Sequence, residues 1–181
     1  MEYNKVVTLK NGREALLRNG VLSDGAEVFE VFNKTHEESD YLLSYPDENS
    51  FTPELEGNFL QAKSESADEI EIVAIINNQI VGVAGIEAVG RKYKVKHRAE
   101  MGISILKDYW GLGLGTALIN ACIECAKKAG YEQLELNAAV GNKRAVSLYQ
   151  KLGFKEFGRN PRGFKSRYTG YQELVYMLLE L

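Results

Sequence analysis

Residues 109–116, with the sequence Tyr-Trp-Gly-Leu-Gly-Leu-Gly-Thr, constrain the fold of this chain more than any other segment. They follow an alternating run at residues 99–106, which predicts a strand, and precede an amphipathic segment that predicts a helix over residues 115–129. Glycines at alternate positions let a ligand approach the backbone closely. Because the first N–H groups and the positive dipole end of a helix point into the loop before it, this arrangement favours a bound phosphate or pyrophosphate.

The spacing of the glycines distinguishes between the known kinds of phosphate loop. A P-loop is excluded because no Gly-Lys-Ser/Thr follows the glycines. A dinucleotide-binding loop requires Gly-x-Gly-x-x-Gly, whereas this chain has Gly-x-Gly-x-Gly and no acidic residue at the right distance at the end of a following strand. On this segment alone, a glycine-rich turn without any ligand remains an open alternative.

Composition indicates a single domain over residues 1–181. Of the 181 residues, 45% are hydrophobic and 26% are charged, which is typical of a globular protein with a sizeable core. No apolar run approaches the roughly 18 residues that a membrane span needs, and the first residues lack the hydrophobic region of a signal peptide. We therefore expect a cytoplasmic protein without a membrane partner.

The cysteines and histidines give no sign of a redox or metal site. Cys122 and Cys125 lie in the middle of the long predicted helix, on its apolar side, whereas a redox pair needs a helix N-terminus to lower a thiol pKa. Packing in the core is therefore the expected role of both. His36 and His97 are far apart in the sequence, so no zinc or other metal site is predicted.

Charge is distributed unevenly along the chain. Residues 24–71 carry 14 acidic side chains and two lysines, a net charge of −12, whereas residues 91–181 carry a net charge of +8. Two solvated faces of opposite sign would explain this pattern, as would an acidic region that attracts a cation and a basic region that attracts a polyanion. Nucleic acid is not expected as a partner, because the basic residues are scattered and the sequence pI is about 5.6.

Hydrophobic periodicity and turn residues predict the remaining elements. Asn11-Gly12 predicts a hairpin turn, Ser23-Asp24 a helix N-cap, and Pro53 the first turn of a second helix. No regular structure is assigned to residues 159–170, which are basic. The predicted strands are residues 6–9, 15–18, 70–76, 79–86, 99–106, 134–140, 154–158 and 173–179. The predicted helices are residues 24–38, 53–64 and 115–129, with a fourth between Asn142 and Gly153.

A second motif lies at residues 142–154, with the sequence Asn-Lys-Arg-Ala-Val-Ser-Leu-Tyr-Gln-Lys-Leu-Gly-Phe. Asn142 can cap a helix whose apolar side chains recur at helical spacing. Together with the glycine loop, this motif makes the chain resemble the GNAT superfamily of acetyl-CoA-dependent N-acetyltransferases. That family pairs a strand, a glycine loop and a helix with a later N-x-x-A-x-x-L-Y-x-K-x-G-F helix. The resemblance covers residues 70–181 well and the first third of the chain in outline.

The resemblance implies an α+β fold, the GNAT fold. It has a single mixed, mostly antiparallel sheet with two splayed parallel central strands and helices on both faces. Acetyl-CoA is the implied cosubstrate, and its pantetheine arm lies between the splayed strands. The family loop usually begins with Gln or Arg, and the Trp-Gly form found here is similar to the branch of ribosomal-protein N-terminal and small-amine acetyltransferases. By motif position, the implied cofactor contacts are Ile103, Ser104, Ile105, Trp110, Gly111, Leu112, Gly113, Leu114, Gly115, Thr116 and Asn142.

The resemblance also implies direct attack of an amine on the acetyl thioester, for which a base or a water chain must first remove a proton from the ammonium. Tyr149 matches the family's general acid by position, and packing in the core is its alternative role. One family branch places a Glu five residues before the matching Asn, where this chain has Asn137, which cannot accept a proton at neutral pH. Glu100 is the nearest candidate base, although strand alternation places it opposite to Met101. Glu87 and ordered water are the alternatives.

The expected activity is acetyl transfer from acetyl-CoA to a primary amine of a small molecule or a protein N-terminus. We expect the two N-terminal helices and residues 159–170 to line the acceptor pocket. The acidic character of this region predicts a cationic acceptor, with Glu37, Glu38 and Asp40 as the residues to test. A non-catalytic acyl-CoA-binding or sensing module on the same fold is the alternative. Because dimers are common in the superfamily, a homodimer is possible.

Overall fold

The computed structural model describes the whole chain, Met1–Leu181. Short 3-10 turns occur at Leu22–Asp24, Pro46–Glu48 and Lys107–Tyr109. The strands are β1 (Asn4–Thr8), β2 (Glu14–Asn19), β3 (Ile70–Ile76), β4 (Gln79–Ala88), β5 (Arg98–Ile105), β6 (Gln133–Ala139), β7 (Lys155–Ser166) and β8 (Gly170–Glu180). The helices are α1 (Gly25–Glu38), α2 (Pro53–Glu65), α3 (Leu114–Ala129) and α4 (Lys143–Lys151).

All eight strands form one sheet, in the order β1-β2-β3-β4-β5-β6-β8-β7. Neighbouring strands are antiparallel except β5 and β6, which are parallel. Alternate residues of the central strands face opposite sides of the sheet. Val73 of β3 packs with the buried residues of α1 and α2, whereas Ile72 packs with those of α3 and α4. The predicted α+β fold, with one mixed sheet and helices on both faces, is confirmed.

The two parallel strands separate along their length. They pair only over residues 98–100 of β5 and 133–135 of β6. Beyond this point β5 stays with β4 as far as Ile105, and β6 stays with β8 as far as Ala139. A wedge therefore opens between residues 101–105 of β5 and 136–139 of β6, as predicted for the splayed strands. Along the wedge, the edge of β5 that faces β6 has no strand partner.

The core lies between the sheet and the helices. Strands β3 and β4 are apolar along most of their length because helices cover both of their faces. Cys122 and Cys125 are buried free thiols on the inner side of α3, and burial raises the pKa of both, which confirms their packing role. None of the four helices combines the length and the apolar character required to cross a bilayer.

Asp24 stands at the predicted N-cap position of α1, but the prediction that its side chain caps the helix was wrong. Asp24 precedes the first residue of the helix, but its side chain caps no helical amide. Its carboxylate instead accepts hydrogen bonds from Arg18 at 2.6 and 2.9 Å and from the Val21 amide at 2.9 Å. This pairing lowers the pKa of Asp24 against the opposing effect of burial. The tertiary ion pair with β2 therefore replaced the local cap.

Residues 159–170, to which the sequence assigned no regular structure, belong to a long hairpin. They contain the second half of β7, a turn, and the first residue of β8. The register of β7 against β8 shifts between Asn160 and Phe164. Such a bulge breaks the alternation of inward and outward side chains, which is the main periodic pattern by which a sequence marks a strand.

Candidate active site

The glycine loop turns through two residues in the left-handed region before α3 begins. Gly111 has φ 83° and Gly113 has φ 93°, values at which any side chain would be strained. None of the backbone amides of residues 111–116 donates a hydrogen bond to another residue, and Ala117 is the first to do so, to the Gly113 carbonyl. A row of unpaired amides at the N-terminus of a long helix is suited to bind a phosphate or pyrophosphate.

Three contacts hold this loop in place. The Trp110 indole donates to the Ile105 carbonyl at 2.7 Å, which fixes the loop to the end of β5. The Leu112 carbonyl accepts from the Lys10 amide at 2.9 Å, which fixes it to the β1–β2 turn. The Arg144 guanidinium of α4 lies 5.5 Å from the centre of the Trp110 ring. Trp110 therefore positions the loop, besides bordering the cavity next to it.

A cavity of about 870 Å³ extends from the glycine loop through the wedge to the C-terminal half of α1. It brings together Tyr149 and Glu100 with most of the residues predicted to contact the cofactor. Those cofactor residues are Ile103, Ser104, Ile105, Trp110, Gly111, Gly113, Gly115, Thr116 and Asn142. Leu112 and Leu114 do not line it, because the Leu112 side chain packs against the core and Leu114 is fully buried. The side chains of these two residues therefore do not face the cavity, and only their unpaired backbone amides are available to a ligand of the loop.

Tyr149 and Asn142 reach the cavity from α4 and its N-terminus. Tyr149 is almost fully buried, with its ring edge-to-face on Phe154 at 5.9 Å. Burial raises the pKa of its hydroxyl to about 12, so the phenol keeps its proton at neutral pH, and it forms no hydrogen bond to another residue. Asn142 caps α4 as predicted, because its Oδ1 accepts from the Ala145 amide at 3.2 Å. Its Nδ2 group makes no hydrogen bond to the protein.

Three carboxylates line the cavity on the side of the sheet that faces α1 and α2. Glu87 and Glu100 lie opposite each other on β4 and β5, and Glu71 projects from β3 on the same face. Glu100 accepts a hydrogen bond from Nδ2 of Asn137 at 3.1 Å. Strand alternation thus places Glu100 on the face of the sheet that carries Glu71 and Glu87, whereas Met101 lines the cavity from the other face. Asn137, at the position where one branch of the family has a Glu, thus holds the carboxylate of Glu100 there.

Glu71 was missed by sequence reasoning. It interrupts the otherwise apolar strand Ile-Glu-Ile-Val-Ala-Ile-Ile, and this single charge in a fully covered strand is the signal that could have identified it. Burial raises the pKa of its carboxyl to about 8, with a further contribution from the negative charge of Glu56. Glu71 forms no hydrogen bond or ion pair, although Lys63 lies close enough to oppose the shift.

The α1 side of the cavity is apolar and aromatic. It is lined by Phe32, His36, Tyr41, Leu42, Leu43 and Phe164. The His36 ring stacks on Phe32 at 3.8 Å and its Nδ1 donates to the Phe32 carbonyl at 2.7 Å. Burial lowers the pKa of His36, so its imidazole is neutral at pH 7. Helix α2, which the sequence placed in this wall, contributes no side chain to it.

The acidic residues chosen from the sequence as acceptor contacts also lie outside the cavity. Glu37 pairs with Lys34 on its own helix at 2.9 Å, and Glu38 accepts from the Lys107 amide at 2.7 Å. Asp40 is occupied by hydrogen bonds from the β7–β8 hairpin and its own loop. Glu37, Glu38 and Asp40 therefore do not line the cavity and are engaged within the protein, so any effect of theirs on the acceptor is indirect. No group of three or more His, Cys, Asp and Glu side chains is arranged to hold a metal ion.

Comparison with known proteins identifies the family. A model of the acetyltransferase (GNAT) family matches residues 27–154. The chain belongs to the GNAT family. This GNAT chain is 30% identical over 149 residues to the N-alpha-acetyltransferase of Sulfurisphaera tokodaii, a match that covers 81% of this chain and 84% of that protein.

Solved structures agree with the GNAT assignment. The crystal structure of a GNAT-family acetyltransferase from Streptococcus pneumoniae matches with a TM-score of 0.88 at 30% identity, covering 92% of this chain and 99% of that one. The structure of YncA, a putative acetyltransferase from Salmonella typhimurium with its cofactor acetyl-CoA, matches with a TM-score of 0.80 at 18% identity, covering 92% and 94%. The protein is thus an acetyl-CoA-dependent N-acetyltransferase with the GNAT fold.

Proposed function

We propose that this GNAT acetyltransferase acts as one domain over residues 1–181 and acetylates a positively charged primary amine of a small molecule or a protein N-terminus. The observation that carries the proposal is the continuous cavity between two different surfaces. Unpaired amides surround one part of it and carboxylates line another. The first suits the polyanionic cofactor and the second a cationic acceptor, so the wedge between them is where the two would meet.

In this proposal the pyrophosphate of acetyl-CoA binds the amides of residues 111–116 at the N-terminus of α3. Lys10 and Arg144, which border the cavity near the loop, add positive charge there. The pantetheine arm follows the unpaired edge of β5 past Ser104, where the backbone groups of Ile103 and the N–H of Ile105 face the wedge. The Ile105 carbonyl already accepts from the Trp110 indole. The free Nδ2 of Asn142 is available to the same arm.

Tyr149 is the proposed general acid. Its hydroxyl remains protonated at neutral pH and has no partner in the protein, so it is available to a group inside the cavity. As the C–S bond breaks, the hydroxyl donates to the departing sulfur and stabilises the thiolate, which has a pKa of about 8.5 when free. Replacing the phenol by a phenyl ring removes this donor without changing the packing against Phe154.

The acceptor side favours a cation with apolar character. Glu100 of β5, whose carboxylate has only a neutral amide as its partner, attracts positive charge, and the aromatic wall around Phe32 accommodates an apolar body beside it. The relative from Sulfurisphaera tokodaii is named an N-alpha-acetyltransferase. An α-amine is therefore among the first acceptors to test, together with polyamines and amino sugars.

The experiment is the release of free thiol from acetyl-CoA, followed with a thiol-reactive dye across amino acids, short peptides, polyamines and amino sugars. We expect turnover with one class of amine, and a fall of about 100-fold in kcat for Tyr149→Phe with unchanged affinity for acetyl-CoA. Thermal stabilisation by acetyl-CoA without turnover of any amine would instead support a sensing module. Unchanged turnover in Tyr149→Phe would exclude the proposed acid.

A further inference from the structure

The three carboxylates of the cavity differ in what holds them. Glu87 forms an ion pair with Lys63 at 2.7 Å, and Glu100 accepts from the Asn137 amide at 3.1 Å. Glu71 has no donor at all, although it projects from a strand covered on both faces. An unpaired carboxylate in such a place opposes folding, and neither ion pairing nor helix capping accounts for it. Of the three, Glu71 alone has both oxygens unengaged by protein groups.

Two glycines open a gap between Glu71 and the wedge. Gly85 lies opposite Glu71 in the pairing of β3 with β4, and opposite Gly102 in the pairing of β4 with β5. A Cβ on Gly85 would collide with the Glu71 carboxylate, so that carboxylate lies directly over β4. A Cβ on Gly102 would meet no atom within 4 Å. The carboxylate lies over β4, and β5 is the next strand, so the spacing of neighbouring strands puts the carboxylate about 4.8 Å from β5.

The surroundings of Glu71 suit a proton acceptor. Burial raises the pKa of its carboxyl to about 8, and the nearby carboxylates of Glu56 and Glu87 act in the same direction. Lys63 of α2 acts against them, and the neutral thiol of Cys122 lies on the far side of the sheet. His36, across the cavity on α1, is uncharged at neutral pH. A carboxylate with this pKa is a stronger base than an exposed glutamate, whose pKa is about 4.3.

We propose that Glu71 is the catalytic base, and that it takes the proton from the acceptor ammonium across the gap formed by Gly85 and Gly102. This inference rests on the proposed function. One N–H bond of the ammonium breaks and its proton passes to the Glu71 carboxylate, so the nitrogen lone pair can form the C–N bond to the thioester carbonyl. As the C–S bond breaks, Tyr149 gives its proton to the sulfur, so CoA leaves as the thiol, and the second proton lost by the nitrogen passes through water to restore the Tyr149 hydroxyl. Glu71 returns its proton to water through the cavity.

The experiment compares the pH dependence of kcat/KM in the wild-type protein and in Glu71→Gln. The acceptor is the amine that the wild type acetylates fastest among those of the panel with a pKa near 10.4, such as an alkyl polyamine, because nearly all of it is ammonium at pH 8 whereas an α-amine of pKa about 8 is not. We expect wild-type kcat/KM to rise with pH and level off near pH 8. At pH 8, kcat/KM of Glu71→Gln should be about 100-fold lower than that of the wild type, because the variant can use only the small fraction of the amine that is already neutral. Its deficit should shrink below tenfold at pH 10, near the amine pKa of about 10.4.

Gly102→Ala tests the gap independently of the carboxylate. The new methyl group meets no protein atom, so we expect a folded protein in which only the passage is narrowed. The expected result is a fall of about tenfold in kcat/KM for the amine, with unchanged affinity for acetyl-CoA. Glu30→Gln, an exposed carboxylate of α1 without an ion pair, is the matched control and should keep wild-type kinetics.

The outcomes separate this inference from the proposed function. A wild-type protein that acetylates no amine overturns both. An active wild type overturns only the role of Glu71 if the Gln variant keeps its rate, or if its deficit is the same at every pH. A folded Gly102→Ala variant with wild-type kcat/KM also contradicts the inference, because the amine would then not pass over that glycine.

Discussion

At the residue scale, the three polar groups to which we assign roles in binding and proton transfer have no partner in the protein. They are the hydroxyl of Tyr149, the Nδ2 group of Asn142 and the carboxylate of Glu71. None of the three is fully enclosed, because each opens into the cavity, so its cost in folding free energy lies at or below the roughly 1–3 kcal/mol of a completely buried unpaired group. A hydrogen bond with acetyl-CoA or the amine would recover that cost. Removing one of these groups is therefore expected to stabilise the unliganded protein and to weaken binding or catalysis.

Glu71→Gln should therefore stabilise the protein in a pH-dependent way. Folding raises the pKa of Glu71 from its ordinary value near 4.5 to about 8, so the native state favours the protonated form. The wild type consequently loses stability relative to the variant as pH rises from about 4.5 to 8. We expect the variant to be more stable by roughly 1–3 kcal/mol at pH 8, with little difference at pH 4.

Thermal or urea unfolding of both proteins at several pH values measures this difference. Glu30→Gln again serves as the control, because its carboxylate is exposed and should leave the stability difference flat with pH. A Glu71→Gln variant that is less stable than the wild type at pH 8 would show that the charged carboxylate contributes to the fold.

At the scale of elements, the segment from β5 to α3 could be read closely from the sequence. The predicted start of the helix at residue 115 is one residue from the observed start at Leu114, because the glycines and the apolar periodicity are local signals. The cap by Asn142 is confirmed for the same reason. The contacts that fix the glycine loop to β5 and to Lys10 are not local, and no pattern in the sequence predicts them.

Trp110→Phe should weaken the binding of acetyl-CoA. It removes the indole hydrogen bond to Ile105 and keeps an aromatic ring next to Arg144. Without this bond the loop amides are less well ordered before binding, and the net loss of one hydrogen bond is about 1 kcal/mol. We expect the Kd for acetyl-CoA, measured calorimetrically, to rise about fivefold.

Tyr93→Phe is a suitable control, since Tyr93 is 83% exposed on the connection between β4 and β5. It should bind acetyl-CoA as the wild type does. A Trp110→Phe variant with wild-type affinity would mean that the loop keeps its shape through the glycines and Lys10 alone.

At the scale of the whole molecule, the acidic and basic segments of the chain meet each other. Arg167, in the turn between β7 and β8, pairs with Asp47 at 2.7 Å and stacks on the Tyr45 ring at 4.2 Å. Arg91 pairs with Asp68 and Glu69. Part of the charge asymmetry is therefore neutralised inside the molecule. The attraction for a cation at neutral pH rests mainly on Glu100, because Glu87 pairs with Lys63 and the raised pKa of Glu71, about 8, keeps most of that carboxyl protonated.

Asp40 joins the α1–α2 loop to the tip of the β7–β8 hairpin. Its carboxylate accepts hydrogen bonds from the Tyr45 hydroxyl at 2.9 Å, the Ser166 hydroxyl at 2.7 Å and the Gln172 amide at 2.9 Å. Next to this junction, Tyr41 and Phe164 line the acceptor side of the cavity. The junction therefore holds two separate segments of the cavity wall together.

Asp40→Ala should loosen that wall. We expect faster amide hydrogen exchange in residues 39–52 and 164–172, a several-fold higher KM for the amine, and unchanged affinity for acetyl-CoA. Glu37→Ala is the matched control, because this neighbouring carboxylate is exposed and pairs only within α1. Equal exchange rates in the two variants would show that the junction does not depend on Asp40.

The sequence by itself determined the order of the elements, the glycine loop, the Asn142 helix and hence the family. These features depend on periodicity, glycines and capping residues, which act over a few positions. The tertiary structure alone decided which carboxylates face the cavity and which are neutralised. Glu37, Glu38 and Asp40, which the sequence offers as acceptor contacts, are engaged elsewhere, whereas the Glu71 carboxylate lines the cavity without a protein partner. Strand register and helix docking bring residues far apart in sequence together, and no local pattern encodes those distances.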